Sequence, residues 1–431
     1  MAESSVDNQS VCIPTGNDTK SYSCVRSLSE KGIHTVLAAG YDGVTAGASR
    51  FCDEEILIPP AETDLIGYRD GLLDIVARPD VQTIIPVQSY DPYLFATYYD
   101  RFAEHVSLLT PSPELYSAVT DRLQLAAAAE KAGVAVPDTQ LLTEVDDWSG
   151  EQIIKARHNL LAAATVDSLG PRDGEAVKTL IHLSAGESAD VESVITEMKH
   201  VPIVQEYIRS SDEYVFGALY DQGEPLATFQ HRQIRGNSYT GGGGVYRETV
   251  DIPELEAAGR TLLGSLDYHG LACIEYMRDA ETGEFVLTEI NPRMWQSLPC
   301  AVQAGADFPY YYWLASQGRA DEISHDYETG VGSHLLYGEV GYLLSILRDE
   351  SPLVERPSLA AELQAVLVSC YEMPRFDNLR ADDPRPFIRG VTHVVRDKLV
   401  RLSDETGRQL RDSFDHLPLF RRKEFSFCVL V

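Results

Sequence analysis

The segment LTEINPRMWQ, residues 287–296, sets Glu289, Asn291 and Arg293 at every second position. Phe285 and Leu287 precede them at the same parity. Side chains alternate along a strand, so an acid, an amide and a base share one otherwise apolar face. Upstream, LACIEYMRDAETGEFVLTEI (271–290) reads as a β-hairpin around DAETG. A loop of about five residues would set Glu275 opposite Glu289. Like charges opposite each other repel, and ionised carboxylates on an apolar face are costly unless paired. Something positive must sit between them. A hard divalent cation answers this need. Mg²⁺ takes oxygen ligands, one or two of them carboxylates, and completes its shell with substrate phosphates and water. Asn291 would add a neutral oxygen, and Arg293 would bridge a phosphate or a carboxylate. A structural ion pair of Arg293 with Glu275 or Glu289, without metal, fits the spacing equally well.

The elements that must position these residues follow a readable order. In the first hundred residues, strands are expected at 10–14, 34–40 and 81–87, with helices at 21–32 and 61–80. Strand, helix, strand implies a parallel sheet with helices on its faces and ligands at the carboxyl ends of its strands. TGNDTKS after the first strand lacks the second glycine of a Walker A loop and is not read as one. A helix is expected over 114–133, stopped by Gly133. Strands follow at 151–157 and 175–183, a helix at 188–200, and a strand, bend and longer strand over 202–221. Another strand is expected at 224–236, leading into four glycines at 241–244, and a helix at 252–270. The rest, 331–431, reads as mostly helical.

Composition narrows the function classes. The chain has 431 residues, 44% of them hydrophobic, enough for several domains with real cores. Its net charge is −30, which argues against nucleic acid, since neutralising phosphates needs a basic face. We read the acidic surplus as adaptation to a salt-rich cytoplasm, where screening weakens self-repulsion. The N-terminus has no apolar leader, and no apolar run approaches the roughly 20 residues of a membrane span. Seven scattered cysteines without a CxxC pair point to reduced, packed thiols. The terminal CVLV formally fits a prenylation box, but its residue types and context argue against one. A cytoplasmic protein without membrane or nucleic-acid partners is expected.

At IEYM…LTEINPR the chain resembles the ATP-grasp superfamily of carboxylate–amine and carboxylate–thiol ligases. The match is to the metal-binding signature, an acid on one strand and Glu-x-Asn-x-Arg on the next. TDRLQLAAAAEKAGVAVPDT, QIIKAR and IVQEYI…DEY resemble further family segments in the right order. The resemblance covers about residues 10–320. It implies an α/β and α+β architecture: an N-terminal parallel α/β domain (1–110), a small ATP-grasp lobe (111–201), a large lobe with the metal site (202–330) and a helical C-terminal extension (331–431). Glu275, Glu289 and Asn291 would hold Mg²⁺ or Mn²⁺. Arg293 would stabilise the transferring phosphoryl group. Lys155, with Arg122 and Lys178 as further contacts, would bind the phosphates of ATP. Gln205, Glu206, Tyr207 and Ile208 would form the hinge that reads adenine, and Glu213 would bind the ribose. Arg232 and Arg235, beside the glycines, would meet a carboxylate or phosphate. His231 reads as a packed histidine.

The implied reaction activates a small-molecule carboxylate with Mg-ATP as an acyl phosphate. An amine or another nucleophile then displaces the phosphate. The chain departs from the family pattern in having Arg122 where a lysine is common, and in lacking the glycine-rich loop after Lys155. A kinase built on the same fold, or a nucleotide-binding protein without turnover, are the alternatives. The substrate is expected between the first domain and the glycines, near residues 89–95, Arg50 and Tyr41. The extension either caps the catalytic domain or forms a homodimer contact.

Overall fold

The computed structural model describes residues 9–176 and 179–396. Lys178, the CVLV terminus and the end of the expected helical tail lie outside them. The first sheet contains β1 (Ser10–Thr15), β2 (His34–Ala39), β3 (Glu54–Leu57) and β4 (Val81–Ile84). All four are parallel, in the order β3-β2-β1-β4. Helices α1 (Thr19–Glu30), α2 (Leu65–Val76), α3 (Asp91–Thr97) and α4 (Tyr99–Ala103) flank it. Alternation on β1 and β2 divides the core. Cys12, Val36 and Ala38 pack with α2 and α3, while Val11, Ile13 and Leu37 pack on the opposite face. That second face shares its core with the large lobe, through Val215, Phe229, Trp295 and Phe308. The first domain is thereby fused to the lobe that carries the acids.

The expected single helix at 114–133 is two helices, α5 (Pro113–Thr120) and α6 (Arg122–Ala132). Asp121, in an extended conformation, breaks it and caps α6 by accepting from the Leu123 amide at 3.0 Å. Gly133, at φ +74°, ends α6 in the left-handed turn expected of it. The small lobe follows. Its antiparallel sheet contains β5 (Thr139–Leu141), β6 (Gln152–Lys155), a separate ribbon of β7 (Leu161–Ala162) and β8 (Gly174–Glu175), then β9 (Leu180–Leu183). Helix α7 (Val191–Met198) and strand β10 (Ile203–Glu206) complete it, in the strand order β5-β10-β6-β9. It has its own core of Leu142, Ile154, Leu183, Val194, Met198 and Val204.

The large lobe is a six-stranded antiparallel sheet. It is formed by β11 (Ser210–Asp221), β12 (Glu224–Ser238), β13 (Gly241–Thr249), β14 (Gly270–Asp279), β15 (Phe285–Asn291) and β16 (Gly332–His334). Its order is β15-β14-β11-β12-β13-β16. Helix α8 (Pro253–Ser265) packs with α6 on one face. Helices α9 (Leu298–Gln303) and α10 (Phe308–Ser316) lie on the other, toward the first domain. The four glycines open β13 and pair with β12 beside the β12–β13 turn. The extension, expected to be mostly helical, begins with β16, which lengthens the large sheet.

Beyond β16 come α11 (Leu336–Arg348), α12 (Leu359–Glu372) and a helical stretch at 385–396. Buried charge fastens this extension. Arg247 of β13 and Asp377 are both fully buried and meet at 2.6 Å, with Ser333 donating to the same carboxylate. Arg235 of β12 pairs with Glu339 at 2.9 Å, and His334 lies 2.7 Å from the same acid. The six described cysteines are free, and no helix of the described residues is long and apolar enough to cross a membrane.

Removing one member of a buried pair leaves an uncompensated charge, at a cost of about 3–5 kcal/mol, whereas replacing both with apolar groups costs far less. Asp377→Ala is expected to lower urea-unfolding stability by about that amount, and Arg247→Met with Asp377→Leu to restore most of it. An Asp377→Ala protein within about 0.5 kcal/mol of the parent would show that the extension is not held this way.

Candidate active site

The hairpin register sets Glu275 directly opposite Glu289, with Cys273 opposite Asn291. Its connection, residues 280–284, has the expected length. Glu213 of β11 lies opposite Met277 and shares the face of the two acids. Three carboxylates thus converge on one face of the sheet.

The cations come from the other side of the cleft. Arg122, the first residue of α6, forms a short ion pair with Glu289 and donates to the Ala156 carbonyl at 2.8 Å. Its position is fixed by Asp121, which is buried and grips Arg157 at 2.6 Å. Lys155, at the end of β6, reaches the Thr288 carbonyl at 3.4 Å. Asn159 donates to the Ile290 carbonyl at 3.0 Å. Together α6 and the small lobe touch three successive residues of β15, Thr288, Glu289 and Ile290. Asn291 donates to Glu289 at 2.6 Å, and Arg293 donates to Asn291 at 3.3 Å and to the Met294 carbonyl at 3.0 Å.

The electrostatics separate the two opposed acids. Glu275 lines the cleft, crowded by protein, and among the described residues no cation is bonded to it. Desolvation, then the charges of Glu289 and Glu213, push its pKa well up. Burial acts on Glu289 in the same sense, but Arg122 and Lys155 outweigh it and hold that carboxylate ionised. Burial, followed by the Arg122 charge, brings Lys155 down to about 7. Desolvation also raises Glu213, which accepts a hydrogen bond from Gln233.

No group of three or more His, Cys, Asp or Glu side chains with metal-binding spacing occurs among the described residues. Glu275, Glu289 and the side-chain oxygen of Asn291 are what the sheet presents. Two carboxylates and an amide suit a hard cation completed by a ligand's own phosphates, rather than a self-sufficient structural site.

Two cavities meet at Lys155 and Glu289. The larger, about 1170 Å³, runs between the lobes past the hinge. Pro137, Ile153, Leu180, Ile208 and Met277 give it apolar walls, and Glu213, Gln233 and Glu275 a polar floor. At the hinge the Glu206 amide already bonds the Asp138 carbonyl at 3.0 Å and the Tyr207 amide bonds the Glu151 carbonyl at 3.0 Å. The Ile208 amide has no partner among the described residues. Gln205 is buried and donates to Thr139 at 2.8 Å, so its side chain fixes the hinge. The smaller cavity, about 290 Å³, lies on the far side of Lys155 and is lined by Ser89, Pro92, Arg122, Asn159, Asn291 and Arg293.

Of the residues singled out in the sequence, the structure gathers Arg122, Lys155, Gln205, Glu206, Tyr207, Ile208, Glu213, Glu275, Glu289, Asn291 and Arg293 around these cavities. Lys178 lies outside the described residues. Arg232 is not brought there. It stands opposite Tyr214, on the face that packs α6 and α8, and approaches Asp212 at 3.8 Å. Arg235 meets Glu339 of the extension rather than a free carboxylate site. Arg50 is paired with Asp382 at 3.2 Å, away from both cavities, whereas Ser89 and Pro92 are where the 89–95 segment was expected to act. Sequence reasoning missed Asn159, the Asp121–Arg157 brace, and the extension's own contribution to the cleft wall through Tyr342, Asp349 and Val354. Asp121 carried a signal, a capping residue before an apolar run.

Comparisons with known proteins bear on the fold. No family model matches the chain. A stretch of 48 residues is 48% identical to acetyl-CoA carboxylase 2 of Oryza sativa subsp. japonica. It amounts to 11% of this chain and only 2% of that protein's length. Solved structures align far more widely. N5-carboxyaminoimidazole synthetase of Staphylococcus aureus in complex with ADP superposes with a TM-score of 0.56 at 13% identity, over 75% of this chain and 80% of that one. The biotin carboxylase domain dimer of the Hydrogenobacter thermophilus 2-oxoglutarate carboxylase, holding MgADP, ADP and bicarbonate, gives 0.56 at 13%, over 75% and 73%. The L-amino acid ligase of Bacillus licheniformis gives 0.53 at 11%, over 75% and 79%. The chain has the fold of the ATP-grasp ligases, an N-terminal parallel α/β domain followed by antiparallel lobes.

His231, on the same face of the sheet, packs as expected. It is buried, lies 2.6 Å from Ser297 Oγ, and burial lowers its pKa to about 3. In the unfolded chain it protonates at about 6.5, so acidification below that pH favours unfolding by up to about 1.4 kcal/mol per pH unit. His231→Gln removes this term. Its stability deficit against the parent is expected to shrink as pH falls from 6.5 toward 4, measured by urea unfolding. A deficit independent of pH would mean that the histidine is charged in the folded protein.

Proposed function

We propose that this chain is an ATP-dependent ligase. It activates a small-molecule carboxylate as an acyl phosphate and joins it to an amine or another nucleophile, releasing ADP and phosphate. The observation that carries the reading is the meeting of two cavities at Lys155 and Glu289. One has the shape and lining for a nucleotide, and the other opens toward the first domain. Solved structures of this fold that hold ADP or MgADP support the nucleotide assignment.

In this reading adenine lies against Ile153, Ile208 and Met277. The free Ile208 amide and the Glu206 carbonyl read its edge, and Glu213 takes the ribose hydroxyls. Lys155, held near neutrality when the cleft is empty, gains its proton when phosphates arrive. A Mg²⁺ ion held by Glu275, Glu289 and Asn291 would neutralise charge on the phosphates and so assist their transfer. Arg293 faces the smaller cavity, where the carboxylate attacks the terminal phosphorus. Charge moves onto the equatorial oxygens of the transferring group, and Arg293 and Lys155 are aimed at it. The acyl phosphate forms in a small enclosed space, which shields it from water until the nucleophile displaces phosphate. No side chain needs to act as a covalent nucleophile. The lobes supply position and field.

Calorimetry of ATP binding, with and without Mg²⁺, tests the reading on the parent and on Glu289→Ala. Binding that needs Mg²⁺ and is lost in the variant is expected. Arg293→Ala should retain ATP but lose about 10²–10³ in turnover, read as ADP release across a panel of carboxylates and amines. A phosphorylated product without an amide would favour a kinase, and absence of ATP binding would overturn the proposal.

A further inference from the structure

The smaller cavity is walled by all the bodies that meet at the cleft. The large lobe gives Glu289 and Asn291 of β15, with Arg293 just beyond. Helix α5 gives Tyr116 and Thr120, and the first domain gives Ser89 and Pro92 at the start of α3. The small lobe closes it with Ala176, Thr179 and Leu180. This closure is fastened to the first domain. The Leu65 amide at the start of α2 bonds the Arg172 carbonyl at 2.9 Å, Arg172 pairs with Asp64, and Leu160 packs into the core of α2 and α3.

Charge is confined to one side of this space. Arg122, Lys155, Glu289 and Arg293 are the charged residues of its described lining. Arg122 is taken up by Glu289, Lys155 reaches the Thr288 carbonyl, and Arg293 donates to the Asn291 side chain. All four lie on β15, just past it or against it. The wall from the first domain and α5 is different: Ser89, Pro92, Tyr116 and Thr120 carry no charge. Burial raises the Tyr116 hydroxyl, so the ring stays a neutral phenol. The Tyr93 ring stands 6.1 Å from it and braces it. A second charge on a substrate would lose its water against this wall and gain no partner. An apolar body gains there, from area removed from water and from a ring to lie against. A cavity of about 150 Å³ holds benzene. This one, about 290 Å³, has room for a ring and the carboxylate it bears.

We infer that the acid substrate is a monocarboxylate with an uncharged, ring-sized apolar body that lies against Tyr116 and Pro92, its carboxylate toward Arg293. This rests on the ligase reading and narrows its substrate class. The first domain and α5 then select the body of the acid, while β6 and β15 handle the reacting group. Tyr116 is the residue that sets this specificity.

The test uses the full chain loaded with Mg²⁺ and a non-hydrolysable ATP analogue, titrated calorimetrically with 3-phenylpropionate, butyrate and succinate. The parent is expected to bind 3-phenylpropionate more tightly than butyrate, and about tenfold or more tighter than succinate, a difference worth about 1.4 kcal/mol. Tyr116→Ala should erase the preference over butyrate with nucleotide affinity unchanged, and Tyr116→Phe should keep it. A parent that binds succinate or butyrate as tightly as 3-phenylpropionate, or binds none of the three, overturns the inference. So does a preference over butyrate that survives in Tyr116→Ala. If Tyr116→Ala does not fold, the parent's order of affinities decides alone. If the nucleotide analogue itself fails to bind, the ligase reading fails separately. The same titrations on the nucleotide-free chain then decide for or against the apolar subsite.

Discussion

Two carboxylates opposed across adjacent strands are the constraint on which the rest of the site depends. Glu275 and Glu289 face each other because the β14–β15 ladder, paired Arg278 to Phe285 beside the turn, shifts register at Thr288, an extra residue that brings Glu289 opposite Glu275. Left alone, the pair would repel and destabilise the sheet. In the empty cleft the fold answers asymmetrically. Arg122 and Lys155 neutralise Glu289, while on Glu275 burial and the charges of Glu289 and Glu213 outweigh those of Arg293 and Lys155. One acid is satisfied and the other is left wanting positive charge. In the proposed function, a cation bound with phosphates would answer this second acid.

The surrounding architecture serves that arrangement. The face of the sheet that carries the acids continues into the core shared with the first domain, so the acids and the β1 and β4 loops are parts of one packed body. The small lobe has a separate core and reaches β15 through Lys155 at the Thr288 carbonyl and Asn159 at the Ile290 carbonyl. Lys155 from the small lobe and Arg122 from α6, which packs on the large sheet, bring positive charge to the acids from two sides. The extension adds a third wall, clamped to β12 and β13 by two buried ion pairs. Such pairs contribute little net stability but fix geometry, since any shift strands a buried charge.

Much of this was legible because it depends on local pattern. Period-two alternation put Glu289 and Asn291 on one face, but the opposition of Glu275 and Glu289 owes to a bulge at Thr288 and not to the turn, and the same bulge turns Phe285 and Leu287, expected beside the acids, to the α6–α8 face. Gly133 ended its helix where a left-handed residue was needed. What escaped depends on distance along the chain or on register. Arg235 finds Glu339 more than a hundred residues away, and Arg247 finds Asp377 farther still. Neither pairing has a local signature. The face taken by Arg232 follows from the β11–β12 register, which shifts between Leu219 and Tyr220 and so cannot be counted from the turn. The strand formed by the glycine run carried no signal, because glycine disfavours strands. Here its lack of a side chain is used: a Cβ on Gly244 would come within 2.5 Å of Gln233, the residue that holds Glu213. Asp121 broke a helix that periodicity carried straight through, because capping competed with the apolar pattern and won.

The most direct test of the opposed-acid account is electron paramagnetic resonance of Mn²⁺ titrated into the chain with ADP present. The account predicts that the free-ion signal is depleted by the parent protein, and that Glu275→Gln, which removes the unsatisfied acid while leaving the Arg122–Glu289 pair intact, weakens Mn²⁺ binding about tenfold or more. Mn²⁺ binding in Glu275→Gln equal to that of the parent, or ADP binding without any bound Mn²⁺, would mean that the two acids face each other for a structural purpose.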